Sequence, residues 1–310
     1  MFIEMHSHTQ SSFPLLTSVP HDILDRIVIF SSNPKIVLVC KTLHKRFSGL
    51  PLAGLIHPPQ RVGEMMAKGG RADLLAVCLV SNPLVQVEGG LHLRANQNEN
   101  KLLYVAAKAG HVDVCKLLMD PEVAGLEYMA KANSCYSWAL FSAAKEGHAN
   151  VCKLLMDPEV AGIEFRARAN SVNSSALLEA ARAGHTDVCK LLMDPEVAGL
   201  EFRARANHIN SMALWAAAKA GHEDVCKLLM DPEVAGLEFR ARANSRNSRS
   251  LGAAAKEGHS DICKLLMDPE VAGIEFRARA NSRDSRLGSF FRNVFSLLKR
   301  TTSGTHDKVS

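Results

Sequence analysis

AARAGHTDVCKLLMDPEVAGLEFRARAN, residues 180–207, decides how this chain folds, because close copies of it begin at Ala106, Ala143, Ala217 and Ala254. The period is 37 residues, and a Gly-His pair returns at 110–111, 147–148, 184–185, 221–222 and 258–259 without a slip. A fixed period of this size marks one supersecondary unit stacked on itself, since a lone unit cannot bury its own apolar face. Within the unit, Leu177, Ala180, Ala181 and Gly184 lie at i, i+3, i+4 and i+7, which predicts a first helix with small side chains at its contact. Gly184 suits a left-handed helix end. A second helix is expected over Thr186–Met193 with Val188, Cys189, Leu191 and Leu192 inward, and Pro195 forces Asp194 out of the helical region. The remaining stretch alternates around Phe202, Arg203, Ala204 and Arg205, the pattern of an extended hairpin arm.

Helix, Gly-His turn, helix and arm, carried by five close versions of Ala-Ala-x-x-Gly-His-x-Asp-Val-x-Lys-Leu-Leu, resemble the ankyrin repeat over about residues 64–298. The opening Thr-Pro-Leu-His of that family is replaced here, for example by Ser175-Ala176-Leu177-Leu178. The unit is also about four residues longer than the usual 33, apparently within Asp-Pro-Glu-Val-Ala-Gly, and a longer outer loop is expected. The resemblance implies an all-α solenoid with short hairpin arms. Its first helices and arm tips would form a concave face for a partner protein. Residues 64–300 are read as this array, with a worn first unit in which Gly70-Arg71, Asp73, Cys78 and Arg94-Ala95-Asn96 echo the later copies.

Upstream, residues 1–14 are polar and read as disordered, and 15–50 form a small helical domain. Thr17 or Ser18 can cap a helix with Pro20 in its first turn and Asp22 and Asp25 near the positive end of its dipole. Val19-Pro20, Asp22-Ile23-Leu24, Ile27 and Val39-Cys40-Lys41 resemble an F-box. The resemblance implies docking on the Skp-type adaptor of SCF ubiquitin ligases through Pro20, Ile23, Leu24, Ile27, Val39 and Cys40. Two departures stand out: the stretch between Ile27 and Val39 is about a helical turn short, and Leu43 stands where a Trp is common. A plain helical cap on the array is the competing reading of the same segment. Residues 51–63, with three prolines in 51–62, read as a linker, and 301–310 as a loose tail.

The chain has 310 residues and a net charge of +5, too mild to call for nucleic acid. The excess is local, since residues 245–310 alone hold twelve Lys/Arg against seven Asp/Glu. No apolar run reaches the length of a membrane span, and MFIEMHSHTQ lacks the pattern of a secretory signal. The segment 285–300 could be an amphipathic membrane helix, but is read instead as the closing helices of the array. Five of the eight cysteines share one column (Cys115, Cys152, Cys189, Cys226, Cys263), which fits small core residues in a reducing compartment. A cytoplasmic location follows, with the nucleus open.

Three columns could carry function. The His and Cys columns are four apart, a zinc-compatible spacing, but no unit is singled out and the Gly-His turn already has a structural use, so no metal or other cofactor is expected. No motif for catalysis is present. The arginine pairs Arg166/Arg168, Arg203/Arg205, Arg240/Arg242 and Arg277/Arg279 read as a basic ladder or, preferably, as partners of Glu164, Glu201, Glu238 and Glu275. Binding is best read where the copies differ, because variation marks surface freed from stacking. Lys101, Tyr104, Trp138, Phe141, Leu178, Met212, Trp215, Arg246 and Arg249 are therefore the expected partner-binding residues, with both tryptophans of the chain among them. The whole reads as a monomeric substrate receptor of an SCF-type ligase with an unidentified target. The alternative is an ankyrin scaffold without a ubiquitin link. F-box and near-identical ankyrin copies together resemble proteins of large DNA viruses and intracellular bacteria that act in the host cytoplasm.

Overall fold

The computed structural model describes residues 59–72, 75, 79 and 94–279. The F-box-like segment, with Pro20, Ile23, Leu24, Ile27, Val39 and Cys40, lies outside the described residues, as do 285–300 and both tails. Two compact units divide the chain: residues 1–139 with 157–167, and residues 140–156 with 168–310.

The second unit shows the repeat most fully. Its first helices include Ser171–Ala183, His208–Ala220 and Ser245–Glu257, packed in succession, and its second helices include Thr186–Met193, Glu223–Met230 and Ser260–Met267. Leu177, Ala180 and Ala181 are fully buried, and Gly184 closes the first helix in the left-handed region at φ 82°. Alanine at two of three contact positions brings helix backbones close without side-chain entropy loss. Val188, Cys189, Leu192 and Met193 form the buried stripe of the second helix. Leu191, expected inward, is only half-buried, and Met193 takes its place.

The extra residues make no outer loop. Asp194 is extended at φ −70° and ψ 119°, and Pro195 opens a one-turn helix, Pro195–Ala198. Proline needs no N–H at that position, and Asp194 Oδ1 accepts the Glu196 N–H at 2.8 Å, so the insertion is a capped helix. Gly199, at φ 82° and ψ 142°, then turns the chain, and its carbonyl accepts from the Phe202 and Arg203 N–H groups.

The arms are not β-hairpins. Among the described residues the arms hold no strand, although Ala204 and Ala206 are buried and Arg205 between them is exposed, as alternation requires. Asparagine replaces the strand ladder. The Asn170 side chain donates to Glu201 O at 2.7 Å while its N–H donates to Phe202 O at 2.9 Å, and Asn207 and Asn244 repeat the pair one and two units on. Each asparagine thus closes two backbone acceptors of the following repeat, which a strand pair would otherwise satisfy.

After each asparagine come three residues in left-handed helical geometry: Val172-Asn173-Ser174, Ile209-Asn210-Ser211 and Arg246-Asn247-Ser248, with φ between 41° and 60°. This conformation costs an L-residue roughly 1–2 kcal/mol, and more where the side chain is β-branched, as at Val172 and Ile209. The turn aims a buried serine at the next arm. Ser211 Oγ accepts the Arg242 N–H at 2.9 Å, and Ser248 Oγ accepts the Arg279 N–H at 2.9 Å.

The Gly-His column is a dovetail between repeats. The ring of His222 lies over Gly184, where an added Cβ would meet its Cε1 at 2.6 Å, and Nε2 bonds to Arg182 O at 3.1 Å. His259 sits likewise over Gly221 with Lys219 O, and His185 over Gly147 with Lys145 O. Each histidine therefore satisfies a carbonyl left open at the end of the preceding first helix.

The first unit follows the same rules. Its helices are Pro59–Lys68, Gln97–Ala109, Val112–Met119, Pro121–Ala124 and Pro158–Ala161, so the end of the expected 51–63 linker is helical from Pro59. His111 lies over Gly70 of the worn copy and bonds to Lys68 O at 2.8 Å. Asn96 and Asn133 reach Glu127 O and Glu164 O at 2.9 Å and 2.8 Å. At the serine position Asn100 stands in, its Oδ1 accepting the Lys131 N–H at 2.9 Å. No helix among the described residues is long and apolar enough to cross a membrane.

Candidate binding surface

The two columns with metal-like chemistry are absorbed by the fold. His111, His185, His222 and His259 are engaged at the dovetails, and Cys115, Cys152, Cys189 and Cys226 are fully buried, which pushes their thiols up to about 12. A thiol so placed is a neutral core side chain. Among the described residues no group of three or more His, Cys, Asp or Glu side chains gathers as a metal site would require.

Two of the arginine pairs stack on the phenylalanine of the following repeat instead of pairing with the glutamates of their own arms. Arg203 and Arg205 both lie over the Phe239 ring at 4.7 Å, and Arg240 and Arg242 lie over Phe276 at 4.9 Å and 4.8 Å. Arg203 also needs the room that Gly236 leaves, since a Cβ there would meet its Nη2 at 2.9 Å. A weakly hydrated, planar guanidinium suits this stacking, which strengthens as the cation loses water. The Arg203 Nε is buried without a hydrogen-bond acceptor, which fits a group held by a ring face. The glutamates give the asparagine ladder their carbonyls, while the Glu201 and Glu238 side chains stay exposed.

The variable positions lie on the first helices, and the structure gathers them into two clusters. In the first unit, Tyr104 and Trp138 meet at 5.1 Å between ring centroids, tilted by 43°. Trp138 stays 50% exposed, too open for a core residue of its size. Lys101 stands beside them, paired with Glu64 at 2.8 Å. Asn98, Glu99, Lys101, Tyr104, Lys131 and Trp138 line a cavity of about 260 Å³. In the second unit, Trp215 is half-buried with two cations on its ring: Arg249 at 4.4 Å and Lys219 at 5.6 Å. Arg249 Nη1 also donates to Met212 Sδ at 3.8 Å, and Arg246 is exposed on the left-handed turn. Phe141 and Leu178 are half-buried on their first helices, outside these contacts.

Sequence reading missed Glu99, Lys131 and Lys219. Lys219 follows Trp215 by four residues, a helical spacing that could have placed the cation on the ring. Lys131 belongs to the arm and could not be placed without the Asn100 bond that holds it.

A stack of helical repeats whose packing positions are uniform and whose first helices carry varied, accessible aromatic and cationic side chains is a protein–protein interaction module. A family model of ankyrin repeats in three copies matches residues 66–169, 126–204 and 177–280, and the chain belongs to the ankyrin-repeat family. No curated protein resembles the chain closely enough to count as a relative. Proteins built of this repeat generally act by binding rather than by catalysis.

Proposed function

We propose that the chain is a substrate receptor: residues 15–50 hold a Skp-type adaptor, and the variable positions of the first helices hold the target. The observation that carries the second half is the accessibility of Trp138 beside Tyr104, with Arg249 and Lys219 ringing Trp215. Aromatic and arginine side chains that remain open after stacking are the residue types that anchor interfaces. The first half rests on Pro20, Ile23, Leu24, Ile27, Val39 and Cys40 and their resemblance to an F-box. Such a receptor does no chemistry; it raises the concentration of its target beside the transferring enzyme.

Co-purification of the full chain with a recombinant Skp-type adaptor tests this reading. The complex should elute together, and Ile23→Asp with Leu24→Asp should abolish it while leaving the helical content of the array unchanged. Failure of the unaltered chain to retain the adaptor would refute the ligase link and leave an ankyrin scaffold.

A further inference from the structure

The second unit sorts its charges by layer, although the repeat over residues 180–216 is neutral, with four bases and four acids. Its second helices, with the one-turn helices that pack on them and the aspartates between, carry ten acids against three lysines. The first helices Ser171–Ala183, His208–Ala220 and Ser245–Glu257 are the reverse: Arg182, Lys219, Arg246, Arg249 and Lys256 against Glu179 and Glu257. Glu179 is already tied to Arg182 at 3.1 Å, and Glu257 is the last residue of its helix, about two turns beyond Arg249. The arms hold two arginines for each glutamate, so counting them enlarges the excess.

Trp215 stands at the centre of that excess. Its own helix, His208–Ala220, carries no acid, and the ring holds Arg249 at 4.4 Å and Lys219 at 5.6 Å. Both cations are exposed, and neither has an ion pair among the described residues. Arg249 spends one donor on Met212 Sδ at 3.8 Å, a weak acceptor, and its other N–H groups have no partner there. A guanidinium held on a ring stays charged while its position is fixed, which readies its fork for a carboxylate. Leu178, half-buried at the matching position one repeat earlier, adds apolar ground beside the cations.

From this division of charge we infer that the first helices of the second unit take an acidic segment of a partner protein. Its carboxylates meet Arg249 and Lys219, and an aliphatic side chain between them covers Leu178 and the open part of Trp215. The inference rests on the reading of the first helices as the target face and names the chemistry of the target; it does not depend on the adaptor. A nucleic-acid strand would need an open ring for its bases to stack on, and this ring is taken by two cations.

The test uses the full chain with Trp138→Phe, which leaves Trp215 as its one tryptophan, and a labelled peptide of glutamate and leucine as the probe. Peptides of equal length with glutamine or lysine in place of glutamate stand beside it. The acidic peptide should bind, weaken as salt rises, and shield Trp215 from iodide, while the other two should not bind. Arg249→Gln with Lys219→Gln should weaken it by about tenfold or more at unchanged melting temperature. Arg249→Lys should keep only part of the affinity, because an ammonium lacks the fork. Lys190→Gln with Lys227→Gln removes the same charge from the second helices and should change nothing. No binding of the acidic peptide, or an equal loss in that second-helix variant, would overturn the inference. Equal binding of the glutamine peptide, abolished by Trp215→Ala, would overturn the acidic target and leave the first helices as the target face. Tighter binding of a single-stranded oligonucleotide or of anionic vesicles, lost with Arg249→Gln and Lys219→Gln, would overturn it too. Retention of the adaptor is read separately, so failure there leaves this result standing.

Discussion

Two glycines with the same backbone but different neighbours isolate the energy of the dovetail. Gly184 and Gly258 both end a first helix in the left-handed region, at φ 82° and 83°. Alanine at either costs roughly 1–2 kcal/mol for that conformation alone. At Gly258 an added Cβ meets nothing within 4 Å, so Gly258→Ala should cost no more than this. At Gly184 the Cβ would fall 2.6 Å from both Cε1 and Nδ1 of His222, and the ring must leave. With it goes the 3.1 Å bond to Arg182 O, worth about 1 kcal/mol, and that carbonyl is left without its acceptor role filled. Gly184→Ala should therefore cost about 1–2 kcal/mol more than Gly258→Ala. In the background of His222→Ala that surplus should vanish, because the clash has no partner. Urea unfolding of the four single and double variants gives the coupling energy directly. Equal costs at the two glycines, or additive costs of Gly184→Ala and His222→Ala, would refute the dovetail.

The left-handed turns store strain at Val172 and Ile209 that glycine would release, so Val172→Gly should stabilise the chain by roughly 1 kcal/mol, read as a higher melting temperature. Arg203 is half-buried and Arg205 exposed although both lie 4.7 Å from the Phe239 ring, so Arg203→Ala should cost roughly 2 kcal/mol and Arg205→Ala under about 1, measured by urea unfolding. The thiols of Cys115, Cys152, Cys189 and Cys226 are raised by burial from 9.0 to about 12, so the unfolded chain ionises first. Stability is whole below pH 9 and falls between pH 9 and about 12, by ~1.4 kcal/mol per thiol per pH unit. An alkaline titration followed by circular dichroism should show unfolding inside that window, and serine at all five positions of the column, Cys263 included, should remove most of the dependence.

The helices were legible because their cause is local. Leu177, Ala180, Ala181 and Gly184 show a helical face and its end within eight residues, and Pro195 shows where the second helix stops. The insertion is not legible as a helix, because Asp194-Pro195 signals the end of one helix as strongly as the capped start of the next. The alternation of Ala204, Arg205 and Ala206 in the arms is legible, but the asparagine side chains that hold the arms in place of a strand partner act across repeats. The arginines went wrong for the same reason. Glu201 is their neighbour in sequence, whereas Phe239 becomes one only on stacking. The left-handed turns carry Val, Ile and Arg where glycine would have announced them. The variable positions are legible in the sequence, but their clustering, Tyr104 on Trp138 and Arg249 on Trp215, needs the fold.

The chain's two tryptophans allow a direct check of the surface on which the binding role rests. In the single-tryptophan variants Trp215→Phe and Trp138→Phe, fluorescence quenching reports how open each ring is and what charge surrounds it. Trp138 should be quenched readily by acrylamide, and Trp215, held between Arg249 and Lys219, should be quenched by iodide far better than by caesium. Blue-shifted emission from both rings with no response to any quencher would place them inside the stack and contradict the assignment of this face to a partner.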